Sequence, residues 1–359
     1  MGGANWVYKP ILFNRQQETD RLQFDLLLAQ HKEIQLIDTF KAQVAELLKC
    51  RHPAQKWEEQ SLQTALEDYS QGLSFGDMGT WVYYPWQQKM VHLLSETDFI
   101  EVRTNRNQYR ISKHERDILQ NKTVGIIGLS VGQSIAVTMA MERTCGRMLL
   151  ADFDTLELSN MNRIRASVCA LGLPKVIIAA RAIAEIDPYI QVDIFQEGCH
   201  EENIDQFFSG AHPIDLLVEV CDQLELKIAC RLKAKQLRIP VVMDTNDRGM
   251  IDVERFDLEP SRSIFHGCID DYLAVQGAKI APEHRMKILF QIVNFELLSE
   301  KMKYSMSEIG KTISGWPQVA SSVVLGGAIT THLVRAIFLQ QHSESGRYYV
   351  DIDQIFGIK

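Results

Sequence analysis

The chain has 359 residues, with 38 basic and 46 acidic side chains and a formal net charge of −8. At 46% hydrophobic and 23% charged it can bury a sizeable core, and at about 150 residues per domain it predicts two domains. A mean hydropathy of −0.12 and a pI of about 5.7 argue against a membrane protein and against a general nucleic-acid binder.

The N-terminal MGGANWVYKP lacks the basic, apolar and small-residue order of a secretory signal. The seven cysteines are odd in number and scattered, without a C-x-x-C pair. That usage predicts a reducing cytoplasmic setting and no structural zinc. The first hundred residues predict an accessory helical or α+β domain (1–100). Leu22 to Leu28 and Ile37 to Leu48 carry helical apolar spacing, and WVYYPW places Trp81, Tyr83, Tyr84 and Trp86 around Pro85. Those aromatics suit the small domain's core; a stacking platform for a peptide or base is the alternative.

From Thr123 the pattern alternates between apolar runs and helical periods, which predicts a Rossmann-like, mostly parallel α/β sheet with helices on both faces. TVGIIGL is the first strand, followed by a helix from Gln133 to about Arg143. RMLLADFD is the second strand, and KVIIAARAIAEI a helix stopped by Asp187-Pro188. IQVDIF, IDLLVEVCD and IPVVMDT are further strands, residues 282–306 helical, and RYYVDI a closing strand. The apolar stretch from Val319 to Leu339 contains His332 and Arg335, which favours a buried helix over a spanning one.

In such sheets ligands bind at the carboxyl ends of the strands. The first turn reads GLSVGQS, with Gly128 in place, Ser130 and Gln133 where a dinucleotide fingerprint has glycine, and Gly132 displaced. Taken alone this is a weak motif: a small-residue turn, or a helix N-terminus offering N–H groups to an anion. Asp152 follows 24 residues after Gly128, where a carboxylate can accept from ribose hydroxyls or can cap a turn.

The run LLADFDTLELSNMNRIRASVCALGLPK resembles the ThiF/MoeB family of ubiquitin-activating-type adenylyltransferases. It carries D-x-D (Asp152, Asp154), S-N-x-x-R (Asn160, Arg163) and G-x-x-K (Gly172, Lys175), with Asp222 closing a later strand. The resemblance covers roughly Arg103 to Asp257, and assigns 101–359 to an adenylyltransferase domain. It implies that ATP and a carboxylate give an acyl-adenylate and pyrophosphate. Gly128, Ser130, Gly132, Asp152, Asp154 and Asn160 would then bind the nucleotide, Arg163 and Lys175 the phosphates, and Asp222 Mg²⁺. RTNRN resembles the family segment whose second arginine, here Arg106, reaches the γ-phosphate of a partner subunit's nucleotide, which implies a homodimer. The implied substrate is the carboxylate of a small protein or peptide. A carboxylate on a modified tRNA base and a non-catalytic nucleotide-binding subunit are the alternatives, and the D-x-D with S-N-x-x-R set argues against a nicotinamide-dependent oxidoreductase. Val131, branched where the family has glycine, is expected to crowd the phosphates or to demand a shifted nucleotide pose. Cys199 and Cys268 are the candidate thioester cysteines, without a recognisable activating context.

Overall fold

The computed structural model describes residues 6–276 and 280–358, and its backbone contacts divide the chain into units 1–113 and 114–359. The first unit contains β1 (Ile11–Phe13), α1 (Glu18–Gln30), β2 (Gln35–Asp38), α2 (Phe40–Arg51), α3 (Glu59–Ser70), β3 (Thr80–Tyr84), β4 (Lys89–Leu93) and α4 (Glu96–Arg103). Its sheet runs β1-β3-β4-β2, with β2 parallel to β4 and the other pairs antiparallel. Helical residues outweigh strand residues.

The single helix read over Ile37 to Leu48 is instead a strand and a helix. Asp38 accepts from the Phe40 N–H at 3.0 Å and meets His92 Nδ1 at 3.0 Å, which ends β2 and starts α2. His92 is fully buried and stacks between Phe40 and Trp81, with ring centroids at 4.2 and 4.1 Å. Trp81, Tyr83 and Tyr84 are buried, and the first two pack with Phe13, Phe24 and Met90. The WVYYPW aromatics therefore serve chiefly as core.

The second unit opens around α5 (Lys113–Leu119) and continues with β5 (Thr123–Ile127), α6 (Gly132–Glu142), β6 (Arg147–Ala151), α7 (Lys175–Ile186), β7 (Gln191–Phe195), α8 (Ile204–Ser209), β8 (Leu216–Glu219), α9 (Leu224–Leu237), β9 (Val241–Asp244) and β10 (Met250–Glu254). It closes with α10 (Asp270–Gln276), α11 (Pro282–Ile292), α12 (Glu300–Glu308), α13 (Ala320–Phe338), β11 (Gly346–Tyr349) and α14 (Ile352–Phe356). The helical stretch expected over 282–306 is two helices, broken where Asn294 takes φ +54°.

The seven strands run β11-β10-β9-β8-β5-β6-β7. β9, β8, β5, β6 and β7 are parallel, and β10 is antiparallel to both neighbours. The expected Rossmann-like α/β sheet is present. β8 and β9 are buried along their whole length, as strands covered on both faces must be. Chain order moves outward from β5 through β6 to β7, then returns to β8 on the other side. That reversal opens a crevice between the carboxyl ends of β5 and β8.

α13 is long and apolar enough, by length and composition alone, to cross a membrane, despite His332 and Arg335; half of its most apolar window is buried in this fold. Gly326 permits its close approach to β9, since a Cβ there would lie 1.8 Å from Asp244 Oδ2.

Candidate nucleotide site

The turn after β5 is built on two glycines. Gly128 adopts φ +91°, and a Cβ there would meet the Val220 carbonyl at 2.7 Å. Gly132 begins α6, where a Cβ would strike Ile126 at 2.9 Å, so it fills the helix-to-strand packing role from its displaced position. Gln133, where the fingerprint has glycine, is buried and clamps Arg165: its Nε2 donates to the Arg165 carbonyl at 2.8 Å and its Oε1 accepts from the Arg165 N–H at 3.0 Å. Sequence reasoning missed this positioning residue. The signal was a long amide where a tight turn favours glycine.

The segment after β6 folds back on itself. Leu156 donates to the Leu173 carbonyl and accepts from the Gly172 N–H, while Leu156, Ile164 and Ile178 form a small core beneath. This brings Asn160, Arg163 and Lys175 toward the crevice. A cavity of about 340 Å³ results, lined by Gly128, Ser130, Asp152, Asp154, Asn160, Arg163, Lys175 and Asp222. Gly132 is not part of this lining. Arg106 belongs to the first unit, on a 3-10 turn from Asn105 to Asn107.

Asp152 is 8% exposed, and its two oxygens accept from the Leu129 and Asp154 N–H groups at 2.6 and 2.8 Å. Burial pushes its carboxyl up and the two backbone donors oppose that. It is thus a turn-fixing residue as well as part of the wall, with lone pairs left for further donors. Lys175 opens α7, its ammonium nearly buried and 2.8 Å from Asp154 Oδ2. Arg163 donates from Nε to Ser130 Oγ and from Nη1 to Asn162 Oδ1, both at 2.9 Å. Half-burial lowers its guanidinium pKa, and the Asp222 carboxylate opposes the shift. Asn160 Oδ1 accepts from the Glu157 N–H in a capping box, so the side chain also orders its own turn.

A second cavity of about 320 Å³ shares Val220, Cys221 and Asp222 with the first. Val131 lines this second cavity and not the first. Cys199 is buried in the first cavity's wall. Burial pushes the Cys268 thiol up, opposite to what an activated nucleophile needs. Among the described residues no group of three or more His, Cys, Asp or Glu could hold a metal. A lone exposed carboxylate such as Asp222, beside phosphate groups, suits Mg²⁺, which keeps most of its shell as water and phosphate oxygen.

A sequence model of the ThiF family matches residues 103–353. The chain belongs to the ThiF family. It is 42% identical over 272 residues to "Uncharacterized protein MT1398" of Mycobacterium tuberculosis (strain CDC 1551 / Oshkosh), covering 76% of this chain and 38% of that protein. This chain therefore spans well under half the length of that relative. It is 22% identical to the tRNA threonylcarbamoyladenosine dehydratase of Bacillus subtilis (strain 168), over 66% of this chain and 96% of that enzyme. The solved structure of E. coli MccB with ATP matches with a TM-score of 0.48 at 15% identity, over 85% of this chain and 80% of that one.

Asp244, at the end of β9, was also missed. It is 5% exposed, its Oδ1 accepts from the Asn246 N–H at 2.7 Å, and its Oδ2 has no partner. Burial pushes its carboxyl up to about 7. A carboxyl raised on folding stabilises the fold below its ordinary range and loses that contribution as pH rises through about 7. Wild-type stability, relative to Asp244→Asn, should therefore fall by about 1.4 kcal/mol per pH unit between the ordinary carboxyl range and about 7. Urea unfolding at pH 5 and pH 8 measures this; an identical difference at both would mean that folded Asp244 stays ionised.

Proposed function

We propose that the chain is an ATP-dependent adenylyltransferase, acting on the carboxylate of a small protein or peptide. The observation that carries this reading is one crevice at the strand-order reversal that gathers Asp152, Asp154, Asn160, Arg163, Lys175 and Asp222.

The chemistry these residues can perform is positioning and charge stabilisation. A carboxylate oxygen attacks the α-phosphorus, and the bond to the pyrophosphate oxygen breaks. Arg163 and Lys175 offset charge on the phosphate oxygens, with the guanidinium able to bind two oxygens at once. Lys175 is held by Asp154, so a phosphate competes with that carboxylate for the ammonium. Asp152 would accept from the ribose hydroxyls, and Asn160 would hold phosphate or ribose oxygens. Asp222 would hold Mg²⁺, which supplies further positive charge to the phosphates. Arg106 is assigned to the γ-phosphate of a partner's nucleotide in a homodimer, and residues 1–100 to an accessory role in a cytoplasmic enzyme.

The family relationship supports carboxylate adenylation as the reaction. The likeness to a tRNA-modifying enzyme supports a second reading, in which the acceptor is a carboxylate on a modified tRNA base. The net charge of −8 weighs against a polyanionic partner. Ligand stabilisation follows RT ln(1 + [L]/Kd). Millimolar Mg-ATP should therefore add about 4 kcal/mol and raise the melting temperature by about 5–8 °C if Kd is micromolar. Equal or greater stabilisation by NAD would overturn the nucleotide assignment.

A further inference from the structure

Three of the seven cysteines meet behind the nucleotide crevice. Cys199 follows β7, Cys221 follows β8, and Cys230 lies on α9. Cys199 is 5% exposed and Cys230 fully buried; both belong to one apolar cluster, and Cys221 packs against it. The Cys199 and Cys230 side chains are hydrogen-bonded, thiol to thiol. Cys221 is turned elsewhere, with Sγ 3.9 Å from the Gln223 carbonyl. Cys199 also borders the crevice, and Cys230 stands behind it. The adenylation chemistry uses none of the three.

A buried thiol by itself is an inert apolar side chain. Here a small oxidant entering the crevice meets Cys199, and a second thiol is already in contact with it. The bond with Cys199, together with burial, raises the Cys230 thiol well above its usual range. Cys230 therefore keeps its proton, and the first attack falls to Cys199. The Cys199 sulfur attacks one oxygen of hydrogen peroxide, the O–O bond breaks, and a sulfenic acid and one water result. The Cys230 sulfur then attacks the sulfenic sulfur. The S–O bond breaks, the leaving hydroxyl takes the Cys230 proton, and a second water departs. Two thiols are oxidised to one disulfide, and one peroxide is reduced to two waters.

Both ends of that bond bear on the nucleotide site. Gly198 holds φ +78°, and a Cβ there would lie 3.0 Å from Phe153. The Gly198 carbonyl and the His200 N–H are both bonded to the Asn203 side chain, so the wall at Cys199 is a tight turn that shifts as one piece. Cys230 precedes Arg231, which holds Glu219 and through it the Cys221 N–H ahead of Asp222. Drawing the two sulfurs into a covalent bond displaces the wall or the arginine.

We propose that Cys199 and Cys230 form a reversible dithiol–disulfide site, and that closing it lowers nucleotide affinity in the crevice. The affinity half rests on the adenylation reading; the pairing half does not. Transient disulfides of this regulatory kind occur in reducing compartments.

The test uses the full chain, reduced and then treated with hydrogen peroxide. Trypsin with a glutamate-specific protease separates the three cysteines for mass spectrometry, and exposed Cys169 reports the dose. A peptide joining Cys199 to Cys230 should dominate, and dithiothreitol should release it. ATP affinity should fall about tenfold or more in the oxidised protein and return on reduction. Cys230→Ala should bind ATP as the reduced wild type does and keep that affinity after the same dose. Saturating ATP added before peroxide should slow the cross-link about fivefold or more, because nucleotide covers Cys199. Oxidised Cys169 with Cys199 and Cys230 still reduced, a link from Cys199 to Cys221, unchanged ATP affinity in the cross-linked protein, or an equal loss in Cys230→Ala would each overturn the proposal. No ATP binding by the reduced wild type would instead overturn the nucleotide reading, and the linked peptide would then decide the pairing alone.

Discussion

Arg231→Met is expected to destabilise the fold by about 3–5 kcal/mol, because it removes one side of a buried charge network and leaves the other without compensation. Arg231 is fully buried on α9, with Nη1 2.5 Å from Glu219 Oε2 and Nε 2.7 Å from Glu254 Oε2. Its guanidinium also lies over the Phe265 ring at 4.0 Å. Lys227 meets Glu219 at 3.0 Å, and Glu254 accepts from the Phe265 N–H at 2.6 Å. Burial alone would raise the Glu219 carboxyl; Lys227 and Arg231 overcome it and hold the group at about 2. A carboxyl lowered on folding contributes stability above its ordinary range and loses it as pH falls toward about 2. Without Arg231 that contribution should shrink, so the variant's deficit should be larger at neutral pH than at pH 3. Urea unfolding at both values checks this, and a loss below about 1 kcal/mol at neutral pH would show that solvent or Lys227 replaces the arginine.

The network also bears on the site. Glu219 ends β8 and accepts from the Cys221 N–H at 2.9 Å. The backbone that carries Asp222 into the crevice is therefore anchored on a carboxylate whose own charge is balanced by α9. Arg231→Lys keeps a charge but loses the planar fork that spans two carboxylates. It separates charge from geometry: partial stability with poorer nucleotide binding is the expected pairing.

Strand and helix alternation was legible from Thr123 onward because parallel strands buried on both faces write unbroken apolar runs. Helix α7 ended where Asp187-Pro188 said it would. The same signal failed at Ile37, where a four-residue strand abuts a helix and the apolar spacing runs straight across the junction. The pairing of β2 with β4 and the bonds of Asp38 to the Phe40 N–H and to His92, 54 residues away, separate them. In the crevice, the D-x-D and S-N-x-x-R spacing located the wall, since those residues lie within one folded-back segment. Gln133, Asp244 and the Glu219–Arg231–Glu254 set were not legible. Gln133 and the Glu219–Arg231–Glu254 set depend on partners elsewhere in the chain and Asp244 on burial against Gly326 of α13, and an acidic residue ending an apolar strand looks the same whether it meets a cation or nothing. For Val131, likewise, sequence gives the side chain's bulk but not which of two adjoining cavities it lines.

Asp222→Asn is expected to lower pyrophosphate exchange by roughly 100-fold or more, in the presence of a competent acceptor, while leaving the fold intact. The substitution keeps the shape and one carbonyl oxygen and removes the charge. Asp222 is exposed at the mouth that the first and second cavities share, so little packing is lost. Two further consequences separate a metal role from simple charge balance. Asp222 opposes the effect of burial on Arg163, so its neutralisation leaves that guanidinium with more uncompensated positive charge. Nucleotide binding without magnesium should then be as tight as in the wild type or tighter. The extra thermal stabilisation that magnesium adds to ATP in the wild type should vanish in the variant, because the other carboxylates of the wall are engaged: Asp154 holds Lys175, Asp152 is buried against two backbone N–H groups, and Glu157 caps its own turn. Melting curves with ATP alone and with ATP plus magnesium, run on both proteins, read this directly. A magnesium increment of the same size in Asp222→Asn would remove Asp222 from the metal assignment even if exchange fell.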